Sequence, residues 1–209
     1  MKTLIIRGED MSPAAEIILA GGMVAVPTET VYGLAANGLD ANAVDGIYRV
    51  KGRPETKPIS LLVPGISSAE KFCRDIPPAA YILAEKFWPG PLTMILFKKP
   101  NVPDIVTAGG STVGIRCPDH EKTLGLLHLA GVPLATPSAN ISGMPSPKTL
   151  CDVLFYFDGK IDAAVDGGKC RVGVESTILD MTVSPPRILR QGGLSRAEIE
   201  TVLEHEVNI

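Results

Sequence analysis

Residues 12–27 read SPAAEIILAGGMVAVP. Ser12 can cap a helix, and Pro13 suits its first turn because the N–H that proline lacks is not needed there. The apolar residues that follow carry the helix to about residue 20, where Gly21-Gly22 stops it. Residues 23–27 contain no charge and read as a buried strand. A helix that hands over to a buried strand through a glycine turn is a building unit of α/β folds.

Working outward, residues 3–6 form a short strand before this unit. Asp40 caps a second helix ending near Lys51, and 59–63 is a strand bounded by prolines. Helical segments follow near 67–73 and 77–87. The turn Trp88-Pro89-Gly90-Pro91 leads into a strand over 92–97. Next come a strand over 113–117, a helix over 119–130 and a strand over 133–136. Pro147 opens a helix to about residue 157, and Ser146 is its natural cap. Strands near 161–165, 176–181 and 187–190 precede a last helix over 195–205. Consecutive strands after 161 break the strict alternation, so the expected fold is α/β with a twisted mixed sheet and flanking helices.

The 209 residues suit one domain, and 45% apolar content suffices for a sizeable core. A net charge of −3 and aromatic content of 5% argue against an extended nucleic-acid surface or a base-stacking platform. Cys73, Cys117, Cys151 and Cys170 have no CxxC spacing, and His120, His128 and His205 complete no zinc pattern. The longest apolar run, 17–26, is interrupted by glycines and too short to span a bilayer. The reading is a cytoplasmic protein with no membrane contact.

No GxxxxGK[ST] loop, GxGxxG turn or GxSxG elbow is present. A nucleotide site would have to come from side chains and loop ends. Lys51-Gly52-Arg53-Pro54 leaves a helix through a glycine, and Pro54 disfavours helical backbone at Arg53. Extended, the two cations lie roughly 6–7 Å apart on one face. Lys57 adds a third. They could bracket phosphates or form a solvated basic turn balanced by Glu55. Pro137-Ser138-Ala139-Asn140 follows an apolar strand, where ligands gather in α/β sheets, though turns use the same residues. Ser146 could cap a helix or bind phosphate at its start. Arg116 and Arg190, each in a short apolar strand, need water, a partner or a ligand. Trp88 reads as a packed turn residue.

Further segments join these. Residues 27–34 (PTETVYGL) and 51–54 (KGRP) come first, followed by 87–93 (FWPGPLT), 114–118 (GIRCP), 137–143 (PSANISG), 173–177 (GVEST) and 188–190 (ILR). In this order they resemble the YrdC-like family, the threonylcarbamoyl-AMP synthases, over nearly the whole chain. The resemblance implies a concave, positively lined cavity in a single-domain protein. It implies a reaction in which L-threonine, bicarbonate or CO2, and ATP give threonylcarbamoyl-AMP and pyrophosphate. A downstream transferase complex would then modify tRNA. It places the nucleotide against Lys51, Arg53, Lys57, Thr112, Ser138, Asn140, Ser146 and Arg190, with Lys51 and Arg53 as the catalytic pair. It places threonine near Thr30, Arg116, Thr136 and Ser176. Many longer members carry Asn at the position of Lys57 and a threonine-contacting His at that of Leu62, and they have an additional C-terminal domain. This chain looks like the short form.

Catalysis would rest on position and charge, with Arg116 forking onto the threonine carboxylate. Mg²⁺ would ride on ATP, with no protein metal site. The alternative is a non-catalytic RNA-binding module acting on tRNA or in ribosome assembly.

Overall fold

The computed structural model describes residues 2–204 and 207–208. In chain order the elements are β1 (Leu4–Ile6), α1 (Ser12–Leu19), β2 (Val24–Val26), β3 (Gly33–Asn37), α2 (Ala41–Lys51), β4 (Leu61–Leu62) and α3 (Ile66–Ala69). Then come β5 (Cys73–Arg74), α4 (Pro78–Phe87), β6 (Leu92–Lys98), a 3-10 turn (Asp104–Thr107), β7 (Thr112–Arg116), α5 (Glu121–Ala130) and β8 (Leu134–Ala135). The chain continues through α6 (Leu150–Phe157), β9 (Ala163–Val165), β10 (Thr177–Asp180), β11 (Arg187–Arg190) and α7 (Arg196–Leu203). The helix expected over 195–205 thus ends earlier, and His205 lies outside the described residues.

The strands form one sheet in the order β1-β9-β2-β3-β8-β4-β7-β6-β10-β11, with β5 paired to β6. It is mixed, as expected. β9 runs parallel to both β1 and β2, β4 to β7 and β6 to β10, whereas β3 is antiparallel to both β2 and β8. Two apolar clusters pack against the sheet. The larger includes Leu34, Ile47, Leu61, Leu83 and Met94, and the smaller Ile18, Val24, Leu62, Leu126 and Leu134. Leu61 and Leu62 belong to different clusters because successive strand residues face opposite ways.

Helix α2 delivers the Lys51 segment, and local chemistry sets both its ends. The Asp40 carboxylate accepts the N–H groups of Asn42 and Ala43, and Gly52 closes the helix at φ 58° in the left-handed region. Helix α6 departs from expectation. It starts at Leu150, capped reciprocally by Thr149 and Asp152, so Ser146 is not a helix cap and Pro147 does not open a helix. Residues 67–73, expected to be helical, divide into the single turn of α3 and the start of β5, which pairs with β6.

Candidate functional site

The site is an open cavity of about 190 Å³ beside the centre of the sheet. Its walls come from the segment after β2, the end of β7, the segment after β8, the approach to β10 and the end of β11. Thr30, Arg53, Arg116, Thr136, Ser138, Ser176 and Arg190 all line it, with Leu62, Thr93 and Glu175. Seven of the residues singled out in the sequence therefore meet in one place.

Arg53 leaves α2 just past Gly52. Its Nε donates to the Lys57 carbonyl at 3.1 Å and its Nη2 to the Pro58 carbonyl at 2.8 Å. Burial lowers its pKa. Lys57 thus serves Arg53 through its backbone, while its side chain is exposed and does not line the cavity. The Lys57 side chain, expected against the nucleotide, is therefore not among the groups that form the cavity wall.

Lys51 is also placed differently from expectation. It is 1% exposed and stands behind the cavity wall. Its Nζ donates to the carbonyls of Ser138 and Asn140, each at 2.5 Å, and lies 3.2 Å from Asn140 Oδ1. Burial, and after it the charge of Arg53, pulls the ammonium's pKa down to about 7. The three oxygens act the other way, because only the protonated form has a donor for each. Ser138 Oγ donates to Asn140 Oδ1 at 2.6 Å, and Asn140 Nδ2 donates to the Met144 carbonyl. Asn140 therefore shapes the loop from behind, and Ser138 is its member on the cavity.

Arg116, also on the cavity wall, ends β7. Its Nε donates to the Gly90 carbonyl at 3.1 Å and its Nη2 to Thr30 Oγ1 at 2.9 Å. Glu29 Oε1 lies 2.7 Å from Nη2, and both side chains of this ion pair are buried. The fork expected to grip a carboxylate is thus partly engaged already, and Nη1 is the guanidinium nitrogen with no acceptor among the described residues. Thr136 Oγ1 donates to the Leu134 carbonyl at 3.0 Å and also faces the cavity. Leu62 pairs in register with Arg116 and lines the same wall.

Arg190 and Ser176, expected at the nucleotide and at threonine respectively, touch each other. Arg190 Nη2 donates to the Ser176 carbonyl at 2.8 Å, and Ser176 Oγ lies 2.7 Å from Thr93 Oγ1. Gly192 secures this corner. A Cβ there would stand 2.3 Å from the Glu175 carbonyl oxygen and 2.4 Å from the Ser176 carbonyl carbon, both rigid backbone. Gly192→Ala should therefore lower stability by about 1–3 kcal/mol, read by thermal unfolding.

Ser146 and Thr112 do not line the cavity. Thr112 sits at the end of β7 remote from Arg116. Ser146 Oγ donates to Glu175 Oε1 at 2.6 Å, and this contact is the main cause holding the Glu175 carboxyl below its usual pKa. A lowered folded pKa adds stability above the range where unfolded glutamate titrates, and that stability is lost as pH falls through the folded value. Ser146→Ala should shift the Glu175 titration upward, followed by carboxyl NMR.

The sequence reading did not single out Glu29. Its signal was a lone carboxylate between Thr28 and Thr30 directly after a buried strand, where a charge needs a partner. Among the described residues no group of three His, Cys, Asp or Glu side chains could hold a metal ion, and no helix is long and apolar enough to cross a membrane.

A family profile, Sua5/YciO/YrdC, described as telomere recombination, matches residues 16–192. The threonylcarbamoyl-AMP synthase of Pyrococcus abyssi is 50% identical over 190 residues, covering 91% of this chain and 56% of that protein. The Bacillus subtilis enzyme of the same name is 44% identical, with 92% and 56% covered. The chain thus spans about half the length of these curated relatives. The crystal structure of P. abyssi Sua5 complexed with L-threonine superposes with a TM-score of 0.95 at 46% identity, covering 100% of this chain and 63% of that one.

Proposed function

We propose, on the premise that the chain belongs to the Sua5/YciO/YrdC family, that it makes threonylcarbamoyl-AMP from L-threonine, bicarbonate or CO2, and ATP. One observation carries this reading. Three arginines, Arg53, Arg116 and Arg190, converge with serine and threonine donors on one cavity.

The chemistry needs that arrangement. The neutral amine of threonine adds to CO2, forming the N–C bond and losing a proton. A carbamate oxygen then attacks the α-phosphorus of ATP, and the bond to the β-phosphate oxygen breaks to release pyrophosphate. Negative charge grows on phosphate oxygens during the displacement, and fixed guanidinium groups stabilise it. Arg53, Ser138 and Arg190 suit the phosphates. Nη1 of Arg116, with Thr30 beside it, suits the threonine carboxylate. Mg²⁺ would travel with the nucleotide's own oxygens. The product would pass to a cytoplasmic transferase complex that modifies tRNA. The comparisons support this reading and not a non-catalytic RNA-binding module.

The test is pyrophosphate release by the purified protein with ATP, Mg²⁺ and bicarbonate. Release should require threonine. Release without threonine, or none with it, defeats the proposal. Arg53→Ala should lower kcat/KM at least about 100-fold, on the scale of losing one preorganised charge-stabilising donor. A loss under threefold would remove Arg53 from the catalytic set.

A further inference from the structure

The Glu29 carboxylate contributes nothing to the walls of the cavity and is 2% exposed. Burying such a group is unfavourable unless it is paired and hydrogen-bonded. The end of β7 and the turn after it meet on the carboxylate, and a third segment meets the backbone of the same residue. Oε1 stands 2.7 Å from Arg116 Nη2. Oε2 accepts the Asp119 N–H at 3.0 Å. The Glu29 carbonyl accepts the Val172 N–H at 2.7 Å, which anchors the loop leading to Ser176.

The contact with Arg116 is a charge contact, since among the described residues no hydrogen-bond donor is aligned on Oε1. The Nη2 hydrogen bond goes to Thr30 instead. With Nε tied to Gly90, the guanidinium is fixed from three sides, and Nη1 is left over for a ligand.

We propose that Glu29 is a positioning residue for amino-acid recognition: it holds the Arg116 guanidinium in the one orientation that presents Nη1 to the threonine carboxylate. This rests on the synthase reading given above. Glu29 touches no substrate and acts through Arg116. Its charge is the operative property, because glutamine has the same shape but would turn an amide N–H₂ toward either the Arg116 guanidinium or the Asp119 N–H.

Two measurements test it. The first uses no substrate. In ¹⁵N spectra of the Arg116 side chain, the two Nη groups should be distinct in the wild type and averaged by rotation in Glu29→Gln. Averaged signals in the wild type overturn the proposal whatever the protein's substrate. The second is calorimetric titration. Glu29→Gln should weaken L-threonine binding at least tenfold and leave a non-hydrolysable ATP analogue within threefold of wild type. Should Glu29→Gln fail to fold, Glu29→Asp, which retracts the same charge, should give a smaller loss confined to threonine. Unchanged threonine affinity in a folded variant, or equal losses for both ligands, overturns the assignment. Distinct wild-type Nη signals without threonine binding would defeat the synthase reading and leave the positioning of Arg116 intact.

Discussion

Replacing Arg116 by Met should cost about 3–5 kcal/mol of stability, the scale for removing one partner of a buried ion pair. At roughly 2–4 °C per kcal/mol for a chain of this size, the thermal midpoint should fall by about 6–20 °C. Methionine restores much of the lost volume, so the penalty comes from the Glu29 carboxylate, 2% exposed and left without its cation. The double variant Arg116→Met, Glu29→Gln removes both charges and should recover most of the loss, because neutral replacement of a buried pair is often tolerated. Threonine-dependent turnover should not return, since the cation that would face the amino-acid carboxylate is gone. Recovery of stability without activity would separate the two duties of Arg116. A midpoint unchanged by Arg116→Met would show that the pair contributes nothing to the fold.

Lys51→Met should show the second large effect, on both stability and catalysis. The ammonium is the donor for three oxygens, the carbonyls of Ser138 and Asn140 and Oδ1 of Asn140. Asn140 Oδ1 keeps the Ser138 hydroxyl as a donor, but the two carbonyls lose theirs, and each buried acceptor left without a donor costs about 1–3 kcal/mol. Relief from burying a charge offsets part of this, so a net loss of about 2–4 kcal/mol is expected. The loop that presents Ser138 to the cavity loses its anchor. Turnover should therefore drop at least about 100-fold even where the variant is fully folded, the price of a misplaced contact group. Denaturant unfolding and steady-state kinetics on the same sample decide it. A folded variant with near-normal turnover would show that the loop holds its shape without Lys51.

The helix feeding the site was readable from its ends, since Asp40 and Gly52 have side-chain and backbone chemistry that local sequence displays. Strand β3 was not. Its residues Gly33–Asn37 are mostly small, Leu34 apart, and lack the β-branched alternation that marks a strand, and they pair on both sides inside the sheet. The start of α6 was misplaced because Ser146-Pro147 and Thr149 with Asp152 are both plausible openings, and the second is completed only by a reciprocal pair of hydrogen bonds.

At the site, Arg53, Arg116, Ser138 and Arg190 stood out as polar residues beside strands, helix ends or prolines. Resemblance assembled them into one cavity. What neither spacing nor resemblance conveyed was depth. Lys51 and Arg53 are two residues apart, yet one supports a loop from behind while the other faces the cavity. Glu29 went unnoticed because its importance lies in a partner far along the chain.

The placement of β9 bears on how the chain is made. Residues 163–165 lie between β1 and β2 and pair with both. On a ribosome the first two strands emerge well before residues 163–165 and wait for their shared neighbour until those have been synthesised. Pairings between such distant segments slow folding, and strand edges left open in the meantime invite the wrong partners. The earliest-made part of this sheet is therefore among the last to be completed, and protection of the nascent β1–β2 segment matters more for this topology than for one whose strands pair in the order they appear.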